Sequence, residues 1–320
     1  MDRTSVEQLE AIKQFLRQSG NYASKPVEQI RREMDEAAAR MPQHTDVTIQ
    51  PVTIGHIDGE WVIPTDPLAE LPSDQQPEQL RPHNHRTILY FHGGGFIAGS
   101  SAFYRDLGAR IAKASGASVL IVNYRLAPEF PYPAANDDCL YAYRWLCENG
   151  YTPSQIVLGG DSVGGSLVLM ALLSLRDQGE KLPAGAFLLS PHTDLVHLDG
   201  ESYTSRAALD PTGSWEGNQR ILDDYLGGQS PHIPLLSPLR LNLHGLPNLF
   251  LQVGDHEVLL SDSLRLAERA KLAGVPVELE VWENMWSVFQ ALAYLLPEAQ
   301  QAIARIGEFV KGRLEGNRRC

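Results

Sequence analysis

The 320-residue chain carries 39 acidic against 27 basic residues, a formal net charge of −12, and no basic run reverses that balance locally. Such a surface repels nucleic acid and anionic lipid, so neither is an expected partner. With 43% hydrophobic and 21% charged residues the composition is globular, and no apolar run approaches a membrane span.

Met1–Glu10 has scattered charges and no apolar block, so no secretory signal is expected. Residues 5–41 read as two amphipathic helices broken near Gly20–Pro26. Thr45–Ile54 and His56–Ile63 read as an antiparallel strand pair turning at Gly55, and Pro67–His85 as a polar, proline-rich connector. Then strands alternate with helices. Strands are predicted at Thr87–Phe91, Ser118–Asn123, Ile156–Gly159, Ala186–Ser190, Asn248–Val253 and Val277–Trp282. Helices are predicted at Tyr104–Ser115, Asn136–Asn149, Ser162–Gln178, Asp262–Ala273 and Pro297–Leu314. This alternation implies an α/β fold with a mostly parallel central sheet covered by helices on both faces. Residues 195–240 break the rhythm and read as an insertion over the carboxyl edge of the sheet. The cysteines Cys139, Cys147 and Cys320 are odd in number and not closely paired, which suggests reduced thiols and a cytoplasmic location.

Gly160-Asp161-Ser162-Val163-Gly164 is a G-x-S-x-G sequence between a predicted strand and a predicted helix. Small neighbours permit the strained turn that exposes a nucleophilic serine, and the helix start directs N–H groups at developing negative charge. His92-Gly93-Gly94-Gly95-Phe96 directly follows the strand Thr87–Phe91, where glycines bring backbone N–H groups close to a substrate oxygen. Each segment has a plainer reading: a helix start with an N-cap serine, and a flexible loop or phosphate cradle. No Lys-Ser/Thr follows the glycines, so the phosphate cradle is disfavoured. His92 is read as ordering the glycine loop.

Together with Tyr124-Arg125-Leu126-Ala127-Pro128-Glu129, Pro133-Ala134-Ala135, Asp138, Ser190-Pro191 and Leu246-Pro247, these segments resemble the hormone-sensitive-lipase-like (family IV) carboxylesterases of the α/β-hydrolases, over about residues 85–310. The resemblance implies an α/β-hydrolase fold. It makes residues 1–42 and 195–235 helical cap elements over a catalytic domain of 43–194 and 236–320. It implies hydrolysis of small carboxylic esters or lactones, with a homodimer through an edge strand or the last helix. The family residue after the nucleophile is usually alanine; Val163 stands there, and only its N–H is needed for an oxyanion hole shared with Gly94 and Gly95.

A catalytic acid and then a histidine should follow the nucleophile in the chain. Asp255 and Glu257 are both within reach, and aligning Leu259 and the helix start at Asp262 with the family pattern puts Glu257 in the acid position. The segment Asn284-Met285-Trp286-Ser287-Val288-Phe289 matches the stretch in which the family carries its histidine, and Ser287 occupies that place. No histidine occurs after His256. A serine hydroxyl has no basic form near neutral pH, so a chain of this kind is expected to be severely impaired. Three explanations follow, in order of preference: a His→Ser form of an active esterase, a natural small-ligand binder resembling the plant gibberellin receptors, or rescue by His192 or His256. Trp215, Tyr225 and Trp286 are candidate pocket residues that could equally serve packing. No metal or organic cofactor is implied, because no His/Cys cluster has ligand spacing and no dinucleotide fingerprint is present.

Overall fold

The computed structural model describes residues 3–19, 23–65 and 86–315; the connector Pro67–His85 and Cys320 lie outside them. Strands β1 (Val47–Ile54) and β2 (Ile57–Pro64) form the expected hairpin, turning at Gly55 with φ +60°. They precede β3 (Thr87–Phe91), β4 (Ser118–Asn123), β5 (Ile156–Asp161), β6 (Gly185–Leu189), β7 (Leu249–Gly254) and β8 (Val277–Trp282). The spatial order is β1-β2-β4-β3-β5-β6-β7-β8, antiparallel where β2 meets β1 and β4, and parallel elsewhere.

Strands β3, β5, β6 and β7 are buried along their whole length, which explains their near-continuous apolar sequences. Successive residues point to opposite faces. Leu89, Phe91, Leu120, Leu158, Leu188 and Leu251 pack under α4 (Ala134–Glu148), α5 (Val163–Asp177) and α8 (Leu260–Leu272). Ile88, Tyr90, Val119, Ile121, Phe187 and Phe250 pack under α3 (Ser101–Ser115) and α9 (Pro297–Glu315). Helix α3 is bounded by local chemistry, with Ser100 capping its start and Gly116, in the left-handed region, ending it.

The remaining helices are α1 (Val6–Ser19), α2 (Val27–Ala38), α6 (Ser202–Ser205) and α7 (Trp215–Leu226). Helix α2 buries only Ile30 and packs Val27 and Met34 partly against the core. The 195–240 stretch holds α6, α7 and two short 3-10 turns, with no strand among its residues. Among the described residues, no helix is long and apolar enough to cross a membrane.

Candidate active site

Parallel strands carry their following loops to one edge of the sheet. Strands β3 and β5 are neighbours, with Phe91 opposite Gly160, so the glycine loop after β3 and Ser162 after β5 emerge side by side. Glu257 follows β7 and Ser287 follows β8, two more parallel neighbours on the same edge. Topology thus assembles residues far apart in sequence.

Ser162 adopts φ +51° and ψ −120°, a conformation a non-glycine residue holds only when its surroundings enforce it. The enforcement is visible. Its N–H donates to the Leu189 carbonyl (2.9 Å), and its carbonyl accepts from Gly165 (3.0 Å) and His192 (3.1 Å). A Cβ on Gly164 would overlap the Phe91 carbonyl oxygen, so β5 and α5 can meet β3 this closely only with glycine there.

Asp161 is a residue whose importance the sequence reading did not isolate beyond its place in the motif. Its buried carboxylate accepts from Tyr90 Oη (2.8 Å), Tyr104 Oη (2.8 Å) and the Gly93 N–H (3.0 Å). Burial pushes its pKa up to about 6, and these three donors hold it back. The carboxylate therefore fixes the start of the glycine loop from the residue next to Ser162. Gly94 continues that loop at φ +106°, its carbonyl accepting from Ile97 and Ala98 (3.2 and 3.1 Å). His92 is stacked on Tyr124 (ring centroids 4.3 Å apart), and Tyr124 Oη donates to the His92 carbonyl at 2.7 Å. The His92 Nδ1 lies 2.7 Å from the Gly93 carbonyl, and burial lowers the His92 pKa to about 4.

The acid side is built differently. Glu257 is fully buried; its Oε1 accepts from Ser190 Oγ (2.9 Å) and the Gly254 N–H (2.5 Å), while Oε2 has no hydrogen-bond partner among the described residues. The Ser287 hydroxyl, with Ser190 and the Gly254 N–H, favours the ionised form of Glu257. Burial, reinforced by the nearby Asp210 charge, pushes the Glu257 pKa up to about 8 against these donors. Asp255, the other candidate acid, is a turn residue that accepts from the Asn284 N–H at 2.6 Å. Asp262, at the start of α8, holds the Thr193 and Asp194 N–H groups (2.7 and 3.2 Å) and plays a structural part.

Neither spare histidine lines the cavity at Ser162. His256 points its Nδ1 at Lys13 Nζ of α1 (2.9 Å). His192 is buried with Nε2 3.3 Å from Tyr203 Oη, and burial lowers its pKa to about 4, far from that of an effective base at neutral pH.

A cavity of about 400 Å³ opens on Ser162, Gly94, Gly95, Trp286 and Ser287. Its upper walls come from Leu16 of α1, from Ile30, Met34 and Ala37 of α2, and from Gly217, Asn218 and Ile221 of α7. Of the three aromatic candidates, only Trp286 lines it. Trp215, the first residue of α7, is 47% exposed and outside the cavity, because helix phase turns it to solvent. Tyr225 is buried outside it and stacks on Phe96 (centroids 3.7 Å apart), so its part is packing. Arg31 of α2, unremarked in the sequence, fastens that wall to the glycine loop. Its guanidinium donates to the Ile97 and Ala127 carbonyls (2.7 and 2.8 Å) and forms a two-pronged pair with Glu129. Among the described residues, no group of His, Cys, Asp and Glu could hold a metal ion.

Residues 88–291 match a protein family described by its α/β hydrolase fold. The chain is 40% identical over 260 residues to an acetyl-hydrolase of Streptomyces hygroscopicus, covering 81% of each chain. It is 36% identical over 281 residues to an esterase of Acinetobacter venetianus, covering 88% of this chain and 87% of the relative. Among solved structures it is similar to an esterase from the bacterial hormone-sensitive lipase family, with TM-score 0.86 and 41% identity, covering 97% of this chain and 99% of that one.

Proposed function

Because this chain belongs to the α/β-hydrolase family, as a relative of the bacterial hormone-sensitive-lipase-like esterases, we propose that it is a serine carboxylesterase scaffold for small esters or lactones, whose general base is replaced by Ser287. The observation that carries this reading is a strained Ser162 on the same sheet edge as a buried Glu257 whose Oε2 has no hydrogen-bond partner among the described residues. In the proposed cycle Ser162 Oγ attacks the ester carbonyl, and the N–H groups of Gly94, Gly95 and Val163 receive the oxyanion. The alcohol departs, and water then releases the acyl group. Glu257 would orient an imidazole at position 287, which a serine does not supply. Losing that base in a comparable triad lowers kcat by on the order of 10⁶, leaving only the contribution of binding and the oxyanion hole.

Residues 1–42 and 195–235 are read as the cap, supported by the walls that α1, α2 and α7 give the cavity. A confined cavity, and a curated relative named acetyl-hydrolase, favour a short acyl group. The second reading, a non-catalytic small-ligand binder, draws on the same absence of a base beside Ser162.

Hydrolysis of p-nitrophenyl acetate by the unmodified chain and by Ser287→His separates the two. A large gain in the variant supports the esterase. No gain, with a small apolar ligand bound tightly by both proteins, supports the binder and sinks the esterase reading.

A further inference from the structure

Resting on the esterase reading, we propose that Asn218 is a substrate-selecting residue whose amide oxygen takes a hydroxyl donor on the ester, so that the cavity prefers small hydroxyl-bearing esters. The cavity walls differ in polarity. Helices α1 and α2 contribute Leu16, Ile30, Met34 and Ala37, with Lys25 and Glu33 paired at 2.6 Å. The 210–221 segment instead brings Asp210, Thr212, Ser214 and Asn218. All but the last are committed within the protein. Asp210 accepts from the N–H groups of Thr212, Gly213 and Val258, each at 2.8 Å, and from Thr212 Oγ1 at 3.2 Å. Ser214 Oγ accepts from the Gly217 N–H at 3.0 Å and so caps α7. The Asn218 amide donates from Nδ2 to Tyr203 Oη at 3.1 Å, and its Oδ1 makes no hydrogen bond among the described residues. An amide oxygen only accepts, so its partner must be a donor. A hydroxyl can both donate to Oδ1 and accept the second Nδ2 proton, whereas an ammonium can only donate.

The amide is oriented before any ligand arrives. Tyr203, buried on α6, accepts from Asn218 Nδ2, which leaves its own proton for His192 Nε2 at 3.3 Å. The His192 N–H donates to the Ser162 carbonyl at 3.1 Å, so this run of contacts starts at the backbone of the nucleophile. Helix α6 is itself pinned to α8. The Ser202 N–H donates to Ser261 Oγ and the Ser261 N–H to Ser202 Oγ, both at 2.9 Å. A polar group fixed in this way costs less to engage and selects a direction.

Asn218 also stands close to where the reacting carbonyl must lie. Ile221 follows it on the same face of α7, and a Cβ on Gly95 would come 3.0 Å from Ile221 Cγ1. Helix α7 therefore touches the oxyanion loop about 4.5 Å along its axis from Asn218. A hydroxyl a few bonds from the carbonyl carbon, in either the acyl or the alcohol part of the ester, spans that distance. Replacing the hydroxyl by a methoxy group keeps the oxygen and the chain but removes the donor. One neutral hydrogen bond of this kind corresponds to a preference of roughly tenfold.

Two matched pairs of esters test this. For the alcohol part they are 2-hydroxyethyl acetate and 2-methoxyethyl acetate; for the acyl part, ethyl 3-hydroxybutyrate and ethyl 3-methoxybutyrate. Kd is measured on Ser162→Ala by ligand-observed NMR titration, and kcat/KM on Ser287→His. At least one pair should favour its hydroxyl member roughly tenfold in both measurements, and the responding pair identifies the part of the ester that is held. Adding Asn218→Leu should bring that ratio to about one, and Tyr203→Phe, which frees the amide to turn, should lower it partway. A loss of packing would weaken both members of a pair alike and leave the ratio in place. Ratios near one for both pairs overturn the proposal, as does a preference that survives Asn218→Leu or is untouched by Tyr203→Phe. Failure of the esterase reading looks different. If Ser287→His is inert while Kd still favours the hydroxyl ester through Asn218, the esterase reading falls and the selecting residue stands. If Ser287→His is active with no preference, the reverse holds.

Discussion

The two halves of the candidate site differ in how completely their polar groups are satisfied. On the nucleophile side, the Asp161 carboxylate has three donors, the Gly94 carbonyl two, and the Ser162 backbone is bonded in both directions. On the acid side, Glu257 is equally buried, yet its Oε2 has no hydrogen-bond partner among the described residues and its pKa is raised to about 8. Buried carboxylates are costly unless paired, and here the hydrogen-bond donors meet only Oε1. On the proposed esterase reading, this contrast is what a missing base at residue 287 would leave behind.

The sharpest way to break the complete half is Gly164→Ala. A Cβ there meets backbone, the Phe91 carbonyl, which cannot move without parting β3 from β5. A loss above about 4 kcal/mol, or failure to fold, is expected in denaturant unfolding; a variant of native stability would show the close approach to be unimportant.

The incomplete half is tested by pH. Glu257 rises from 4.5 to about 8, Asp262 from 3.8 to about 7 and Asp161 from 3.8 to about 6. The unfolded chain releases these protons near pH 4, whereas the fold retains them. Their contribution is therefore full below about pH 4 and declines until about pH 8. Glu257→Gln should be more stable than the parent by a few kcal/mol at pH 8.5 and lose that advantage near pH 4. Equal Tm differences at both pH values would contradict the raised pKa.

Smaller effects belong to the cavity walls. In a Ser287→His background, Arg31→Ala should raise KM roughly tenfold, equivalent to about 1.4 kcal/mol, by loosening α2 from the Ile97 and Ala127 carbonyls. Arg31→Lys should recover part of it, because an ammonium can still reach one carbonyl. Trp215→Ala should change neither KM nor stability by more than about 0.5 kcal/mol, since the ring faces solvent.

Much of this was legible in the sequence because it was local. The strand alternation implied the sheet, and Gly94, Gly160 and Gly164 stand where a Cβ would meet backbone oxygens of the loops and strand ends around Ser162. The Gly55 turn also agrees with the sequence reading, and of the two candidate acids Glu257 is the buried one. What the sequence left open was non-local. Arg31 reaches carbonyls at 97 and 127 from a helix with an ordinary polar face, and no pattern signals it. Trp215 and Tyr225 lie on the same helix, but only their rotation about its axis and the fit of Phe96 decide that neither enters the cavity. Asp161 was visible as part of a motif, whereas its grip on Gly93 depends on Tyr90 and Tyr104 arriving from elsewhere.

The most direct test of the account is kcat/KM for p-nitrophenyl acetate in three proteins prepared together: the unmodified chain, Ser287→His, and Ser287→His combined with Ser162→Ala. The account predicts that Ser287→His exceeds the unmodified chain by at least about 10³ and that the double variant returns to its level or below. An unmodified chain already as fast as Ser287→His would contradict it, because the site would then have a working base that the structure does not place beside Ser162.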